Sequence, residues 1–303
     1  MNEEYQVRLI DIDLPGVGDK VSSLLNTTFS LTMPWETIKA NTYYNNSIVS
    51  SPQSFYVGAF AKEELVGFVA FKSHDFLYDG EVVNCFHHCF VATSRSMRGK
   101  GVFPSILAFG KAYLKTLGNV GFVFGVPNQF SGHVFEKLKY RNFGYFLKIN
   151  VYPFPLIFDT AFSNWDVNDT LYADKAFYQN DYQLIDAKQK SPGSNIIVFE
   201  DLGNVIWGRL KKRKKGGLSL IYFSVGGMIV NKPQFFKSTV KKLCKQHKVL
   251  FVQFLVHNTS IYKKLFKRPK PANHSEPLVI DEVSIDLPAK PVFNFMPGIK
   301  DHF

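Results

Sequence analysis

The feature that most constrains this chain is a short glycine-containing loop set between two different periodicities. Residues Val82–Val91 alternate as a strand does, and Val102, Ile106, Phe109 and Tyr113 fall on one stripe at helical spacing within Val102–Leu117. Between them lies Val91-Ala-Thr-Ser-Arg-Ser-Met-Arg98-Gly99-Lys100-Gly101-Val102-Phe103. Glycines at 99 and 101 let backbone N–H groups turn into one concavity and approach an anion closely. The helix beginning at Val102 points its partly positive N-terminus into the same space. Arg98 and Lys100 add full charges, so the segment reads as a pyrophosphate cradle. It is not the dinucleotide fingerprint, which needs three spaced glycines and a downstream acid. It is not a Walker loop either, because no Gly-Lys-Ser/Thr occurs. A turn that merely opens a helix would carry the same Gly-Lys-Gly.

The flanking elements set the loop in a mixed sheet. A strand is expected over Tyr5–Ile12, then a helix over Lys20–Phe29 capped by Asp19, and a second helix from Pro34 to about Tyr44. Phe55–Ala61 and Leu65–Lys72 form a hairpin around Lys62-Glu-Glu64. After the loop and its helix come a strand at Phe122–Val126, a helix at Ser131–Leu138 and a strand at Phe143–Tyr152. The order β-α-α-β-β-β-α-β-α-β gives a mixed α/β sheet with helices on both faces. Asp159–Asp181 is poorly periodic and reads as a connection. Strands follow at Tyr182–Ala187, Asn204–Leu210 and Leu218–Val225, then a helix from Pro233 to about Gln246. A strand at Val249–Val256, a helix at Ser260–Phe266 and a strand at Leu278–Val283 complete the chain. This second series echoes the first in element order but not in sequence. Its Gly226-Gly227 precedes Pro233 by too many residues to act as a phosphate loop. The expected division is 1–155, a connection at 156–180, and a second, degenerate α/β half at 181–303.

Composition narrows the partners. The formal net charge of +11 over 303 residues favours an acidic partner, whether phosphate, nucleotide, nucleic acid or membrane surface. Three cysteines are too few for a disulfide scaffold and fit a reducing cytosol. The N-terminus lacks the apolar core of a signal peptide, and the longest apolar run, Leu218–Val230, is too short to span a bilayer. A cytoplasmic protein is expected. The run Lys211-Lys-Arg-Lys-Lys215 reads as a solvated hairpin tip. Together with Lys237, Lys241, Lys242, Lys245 and Lys248 it offers a basic surface to a phosphorylated acceptor. No aromatic-interleaved motif supports nucleic acid, and nothing in the sequence sets an oligomeric state.

Residues 85–146 resemble the core of the GNAT superfamily of acyl-CoA N-acyltransferases. The Arg98-Gly99-Lys100-Gly101-Val102-Phe103 loop is similar to that family's acyl-CoA motif. Gly121-Phe-Val-Phe-Gly-Val-Pro127-Asn128 resembles its next strand, and Phe135-Glu-Lys-Leu-Lys-Tyr140 its Tyr-Glu-Lys-Leu-Gly-Phe signature. The resemblance implies acetyl-CoA as co-substrate, held by Val91, Thr93, Arg98, Gly99, Lys100, Gly101, Val102, Phe103 and Asn128. The other substrate would be a small-molecule amine, sugar-like or phosphorylated. A GNAT-fold protein that binds acyl-CoA or a phosphorylated ligand without turnover is the alternative. Phe135 stands where many members carry the tyrosine that protonates the departing thiolate, and a phenyl ring has no proton to give.

Direct attack of an amine on the thioester needs a group to take the amine's proton. Alternation in Asn84-Cys85-Phe86-His87-His88-Cys89-Phe90 puts Cys85, His87 and Cys89 on one face and Phe86, His88 and Phe90 on the other. His87 is the favoured base, with His88 in reserve, because histidine titrates near neutrality. Both are equally readable as histidines satisfied within the protein. Glu81, with Asp75 and Asp79, flanks the same hairpin, and the terminal carboxylate of Phe303 is a further candidate. Cys85, His87 and Cys89 lack the fourth ligand and paired cysteines of a zinc module, so no metal is expected.

Overall fold

The computed structural model describes residues 5–42, 53–128, 131–154, 161–169, 171, 173, 175–179, 181–190, 195–267, 269–271 and 277–294. The first half runs β1 (Gln6–Ile10), α1 (Val17–Phe29), α2 (Trp35–Thr42), β2 (Phe55–Ala61), β3 (Glu64–Tyr78) and β4 (Glu81–Thr93). It continues with α3 (Val102–Leu117), β5 (Val120–Gly125), α4 (Gly132–Lys137) and β6 (Arg141–Val151). The second comprises β7 (Ala176–Gln179), α5 (Asp181–Lys190), β8 (Ile197–Asp201), β9 (Asn204–Lys215) and β10 (Leu218–Val230). Then come α6 (Pro233–His247), β11 (Val252–His257), β12 (Lys270–Pro271), β13 (Pro277–Glu282) and β14 (Val292–Asn294).

One sheet runs in the order β1-β2-β3-β4-β5-β13-β6-β11-β10-β9-β8. Along this path only β4–β5 and β10–β11 pair in parallel. Parallel neighbours need a crossover, and α3 and α6 supply the two. Each crossover follows an antiparallel pair, β3–β4 or β9–β10, whose register steps by one residue at a bulge. The halves therefore repeat one plan, as the element order suggests.

Helices cover both faces of the first half. The stripe Val102, Ile106, Leu107, Gly110 and Leu114 buries α3 against Val69, Phe71, Phe86 and Val123. The approach is close because Gly110 has no side chain: a Cβ there would run into the ring of Phe71. Val21, Leu24 and Leu25 of α1, with Ile38 of α2, cover Tyr56, Phe68 and Cys89 on the opposite face. Fully burying each such aliphatic or aromatic side chain contributes roughly 1.5–3 kcal/mol.

Three expectations change. Residues 182–187 are helical, not a strand. Asp181 opens the helix, and Leu184, Ile185 and Lys188 form a buried stripe of period 3.6, not 2. The basic run at 211–215 is the end of strand β9, and the hairpin turn is Gly216-Gly217 instead, with φ of 56° and 80°. Positive φ at both central residues suits a two-residue hairpin loop. The last strand, expected with the second half, lies between β5 and β6 of the first. Lys111 of α3 pairs with Asp281 at 2.6 Å, and Arg141 of β6 with Glu282 at 2.6 Å, fastening β13 from both sides.

Candidate active site

The glycine loop takes the form its composition calls for. Met97 is buried and anchors it, while Arg98, Gly99, Lys100 and Gly101 are exposed. Gly99 and Gly101 have φ of 80° and 81°, a region that L side chains rarely adopt. Gly101 is the N-cap of α3, and no side chain caps the helix. The first-turn N–H groups are thus left to an incoming acceptor. Tyr5 of β1 steadies the turn through Ser105, hydroxyl to hydroxyl at 2.9 Å. Val102 is buried, and Phe103 lies edge-on to Phe135 with ring centroids 5.6 Å apart.

Beside the loop the sheet opens. The β4–β5 pairing ends at His87 and Phe124, although β4 continues to Thr93. The bulge lies just beyond. Phe68 pairs with Ala92 and Ala70 with Cys89, so Phe90 and Val91 both oppose Val69. Phe90 has a φ of 48° and turns into the α1 face beside Cys89, whereas simple alternation places it with His88. Val91 packs on the α3 face, and Thr93 ends the strand half-buried. On the other side β5 stops at Gly125, two residues before Pro127, which has no N–H to continue a ladder. A notch between the carboxyl ends of two parallel strands, next to an uncapped helix N-terminus, is where open α/β sheets bind ligands.

The two histidines sit at this fork on opposite faces. His87 is 3 % exposed, stacks on Phe124 at 4.8 Å and places Nδ1 3.1 Å from Cys89 Sγ. Lys72 lies opposite it in the ladder. His88 is 6 % exposed and faces α3 among Phe71, Phe135 and Tyr140. Its Nε2 is 3.5 Å from the Tyr140 hydroxyl, and its Nδ1 is buried with no partner. Burial pushes its pKa down to about 3, so the ring is neutral at physiological pH. Burial also pushes the Cys85 thiol well above its ordinary value, which leaves it an inert core group. No grouping of three or more metal-ligating side chains occurs among the described residues.

The remaining candidates scatter. Glu81 and Asp79 stand at the tip of the β3–β4 hairpin. Glu81 is six residues, or about 20 Å of extended strand, from His87. Asp75 is buried opposite Asn84 on the α3 side of the sheet. Asn128 is exposed, and its Oδ1 accepts from the Ser131 N–H at 3.1 Å as α4 begins. Phe303 lies outside the described residues. Sequence reasoning passed over Lys72 and His74, both buried on the His87 face, and Tyr140, the neighbour of His88. The signal for the first two is Lys72-Ser-His-Asp75, four polar residues in succession inside an otherwise apolar strand.

In the second half the corresponding bulge is occupied by the protein itself. The missing side chains of Gly226 and Gly227 in β10 leave room for the Trp207 ring and the Asp181 carboxylate. Trp207 donates from Nε1 to Asp181 Oδ1 at 2.7 Å, and Gln179 donates to the same atom at 2.7 Å. The helix that follows starts at Pro233 with no glycine loop before it.

Comparisons agree with this geometry. Residues 19–147 match the profile of the acetyltransferase (GNAT) domain. No curated protein sequence matches the chain. A GCN5-related N-acetyltransferase from Anabaena variabilis superposes with a TM-score of 0.63 at 9 % identity, over 92 % of this chain and 73 % of that one. One from Kribbella flavida gives 0.60 at 11 %, over 91 % and 71 %. N-myristoyltransferase from Saccharomyces cerevisiae, with bound myristoyl-CoA, gives 0.56 at 11 %, over 97 % and 85 %. These likenesses establish the fold, extending through both halves, and the profile places the glycine loop and the notch in its acyltransferase domain: the chain belongs to the GNAT superfamily.

Proposed function

We propose that the protein transfers an acetyl group from acetyl-CoA to the primary amine of a small acceptor. The observation that carries this reading is the coincidence of three features at one end of β4: the uncapped α3 N-terminus, the two left-handed glycines and the parting of β4 from β5. The pyrophosphate lies on the amides of Gly99–Phe103 with Arg98 and Lys100 alongside. The pantetheine arm follows the notch and brings the thioester to the fork near His87. The amine nitrogen attacks the thioester carbon, the C–N bond forms, the C–S bond breaks, and CoA leaves as the thiolate. His87, or a water it holds, takes the proton from the amine. The exposed lysines of α6 give the acceptor a basic surface suited to a phosphorylated or sugar-linked amine.

The test pairs thiol release with calorimetry. Acetyl-CoA and a panel of amino sugars should yield free thiol, and Gly101→Asp should abolish CoA binding by placing a carboxylate among the phosphates. Unchanged CoA affinity in that variant would refute the site. The phenyl ring at 135 favours a second reading, a protein that binds acyl-CoA without turnover. CoA binding with no thiol release from any amine would support it.

A further inference from the structure

The departing thiolate needs a hydrogen-bond donor, and no hydroxyl is present at position 135. We propose that the Nδ1–H of His88 fills this need, hydrogen-bonding the sulfur of CoA as the C–S bond breaks. The inference rests on the acyl-transfer reading above and identifies a catalytic residue for it.

The argument is geometric. In the β4–β5 ladder His87 is the last residue paired, opposite Phe124. His88 and Gly125 are the next residues along and are no longer joined, so they flank the apex of the notch. Gly125 has no side chain, and two atoms converge on the place where its Cβ would be. Cζ of Phe135 is 3.3 Å from that point, and Nδ1 of His88 is 3.6 Å from it. Nδ1 is fully buried and makes no hydrogen bond. A buried polar group without a partner costs roughly 1–3 kcal/mol, and an incoming sulfur at the apex would supply the missing partner.

The tautomer follows from the other nitrogen. Nε2 faces the Tyr140 hydroxyl at 3.5 Å. Burial pushes the Tyr140 phenol well above its ordinary pKa, so it stays protonated and is the donor in this pair. Nε2 then accepts, and Nδ1 carries the hydrogen that faces the notch. The ring is boxed by Phe71 edge-on at 4.9 Å, Phe135 at 5.7 Å and Tyr140 at 5.7 Å, which fixes its direction. No charged side chain contacts it through these neighbours.

His88 keeps its proton throughout. The electron pair of the C–S bond passes to sulfur, the thiolate accepts the hydrogen bond, and water protonates it as CoA leaves. A neutral imidazole acting as a preoriented donor is established chemistry, and one such donor is typically worth about 10²–10³-fold in kcat. Tyr140 is a positioning residue that sets the tautomer.

The experiment compares wild type, His88→Phe and the double variant His88→Phe/Phe135→Tyr. The phenylalanine suits the apolar box and keeps the fold. His88→Phe should lower kcat by about 10²-fold with the KM for acetyl-CoA nearly unchanged. The pH–rate profile should keep its shape, because His88 does not titrate in the working range. The double variant, with a hydroxyl in the same space, should recover much of the rate. Undiminished kcat in His88→Phe, or loss of the acidic limb of the profile, would overturn the proposal; the second result would make His88 a base. A second arm needs no turnover. Calorimetry at pH 9 should show wild type preferring CoA to desulfo-CoA by about tenfold, and His88→Phe showing no preference. Equal preference in both proteins overturns the role of His88 while leaving the acyltransferase reading intact. Absence of thiol release, with the preference present, overturns turnover and retains the sulfur contact.

Discussion

At the scale of single residues, neighbours in sequence have opposite surroundings. His87 and His88 are adjacent, yet one stacks on Phe124 beside Cys89 and the other is sealed among Phe71, Phe135 and Tyr140. If His87 accepts the amine proton, His87→Ala should lower kcat by about 10²–10⁴-fold, the usual range for general-base assistance, with CoA affinity preserved. Steady-state rates across pH 6–9 decide it, and full activity in the variant removes His87 from the mechanism. Asp181 offers a second residue-level prediction. Burial outweighs its hydrogen bonds from Trp207 and Gln179 and raises its pKa to about 7. A carboxyl with a folded pKa above its unfolded value binds the extra proton in the native state. Its contribution is therefore most favourable below about pH 4 and is lost as pH rises towards 7. Asp181→Asn keeps an acceptor for both donors and does not titrate. Its urea midpoint should fall less than that of wild type between pH 5 and pH 8, and a larger fall would contradict the assignment.

At the scale of elements, α3 is held by complementarity between a helix glycine and a strand aromatic. Glycine inside a helix is less favourable than alanine by up to about 1 kcal/mol, so Gly110 is retained for the room it gives Phe71. Gly110→Ala should destabilise the protein despite its better helix propensity. Overpacking of this kind costs about 1–3 kcal/mol, so a net loss of about 1–2 kcal/mol is expected in denaturant unfolding. Because the same helix carries the phosphate-facing N-terminus, CoA affinity should fall with it. A variant as stable as wild type would show that the sheet yields easily. The strands show the complementary lesson. One extra residue at Phe90–Val91 turns Phe90 into the α1 core, which alternation alone assigns to the other face.

At the scale of the whole molecule the two halves interlock. β13 lies between β5 and β6, so the sheet of the first half is completed by residues near the end of the chain. β7 and β14 likewise pair with each other, and β7 joins the end of β3. A fragment of residues 1–155 should therefore fail to fold cooperatively, because β5 and β6 lose the strand between them and expose two long edges. A sharp thermal transition by circular dichroism in that fragment would show that the first half stands alone. The repeat also explains why only one half offers a notch. The first bulge is followed by a glycine loop and an open fork, whereas the second is filled by Trp207 and Asp181. No helix among the described residues is long and apolar enough to cross a membrane.

The sequence by itself determined what depends on neighbours along the chain. Helical spacing from Val102 and the glycines at 99 and 101 prescribed the loop, its left-handed turns and the start of α3, because these are local steric and hydrogen-bonding matters. The repeated element order of the two halves was legible for the same reason. What required long-range contact was not. The insertion of β13 beside β5 joins residues more than 150 positions apart, and no local pattern records a partner at that distance. The helix at 181–190 was hidden because its buried stripe is defined only once Val205 and Trp207 pack against Leu184 and Ile185. The apex of the notch was likewise decided in three dimensions. Gly125, Phe135, Tyr140 and His88 belong to four separate stretches of chain, and only their packing leaves one imidazole nitrogen facing the space between two strands.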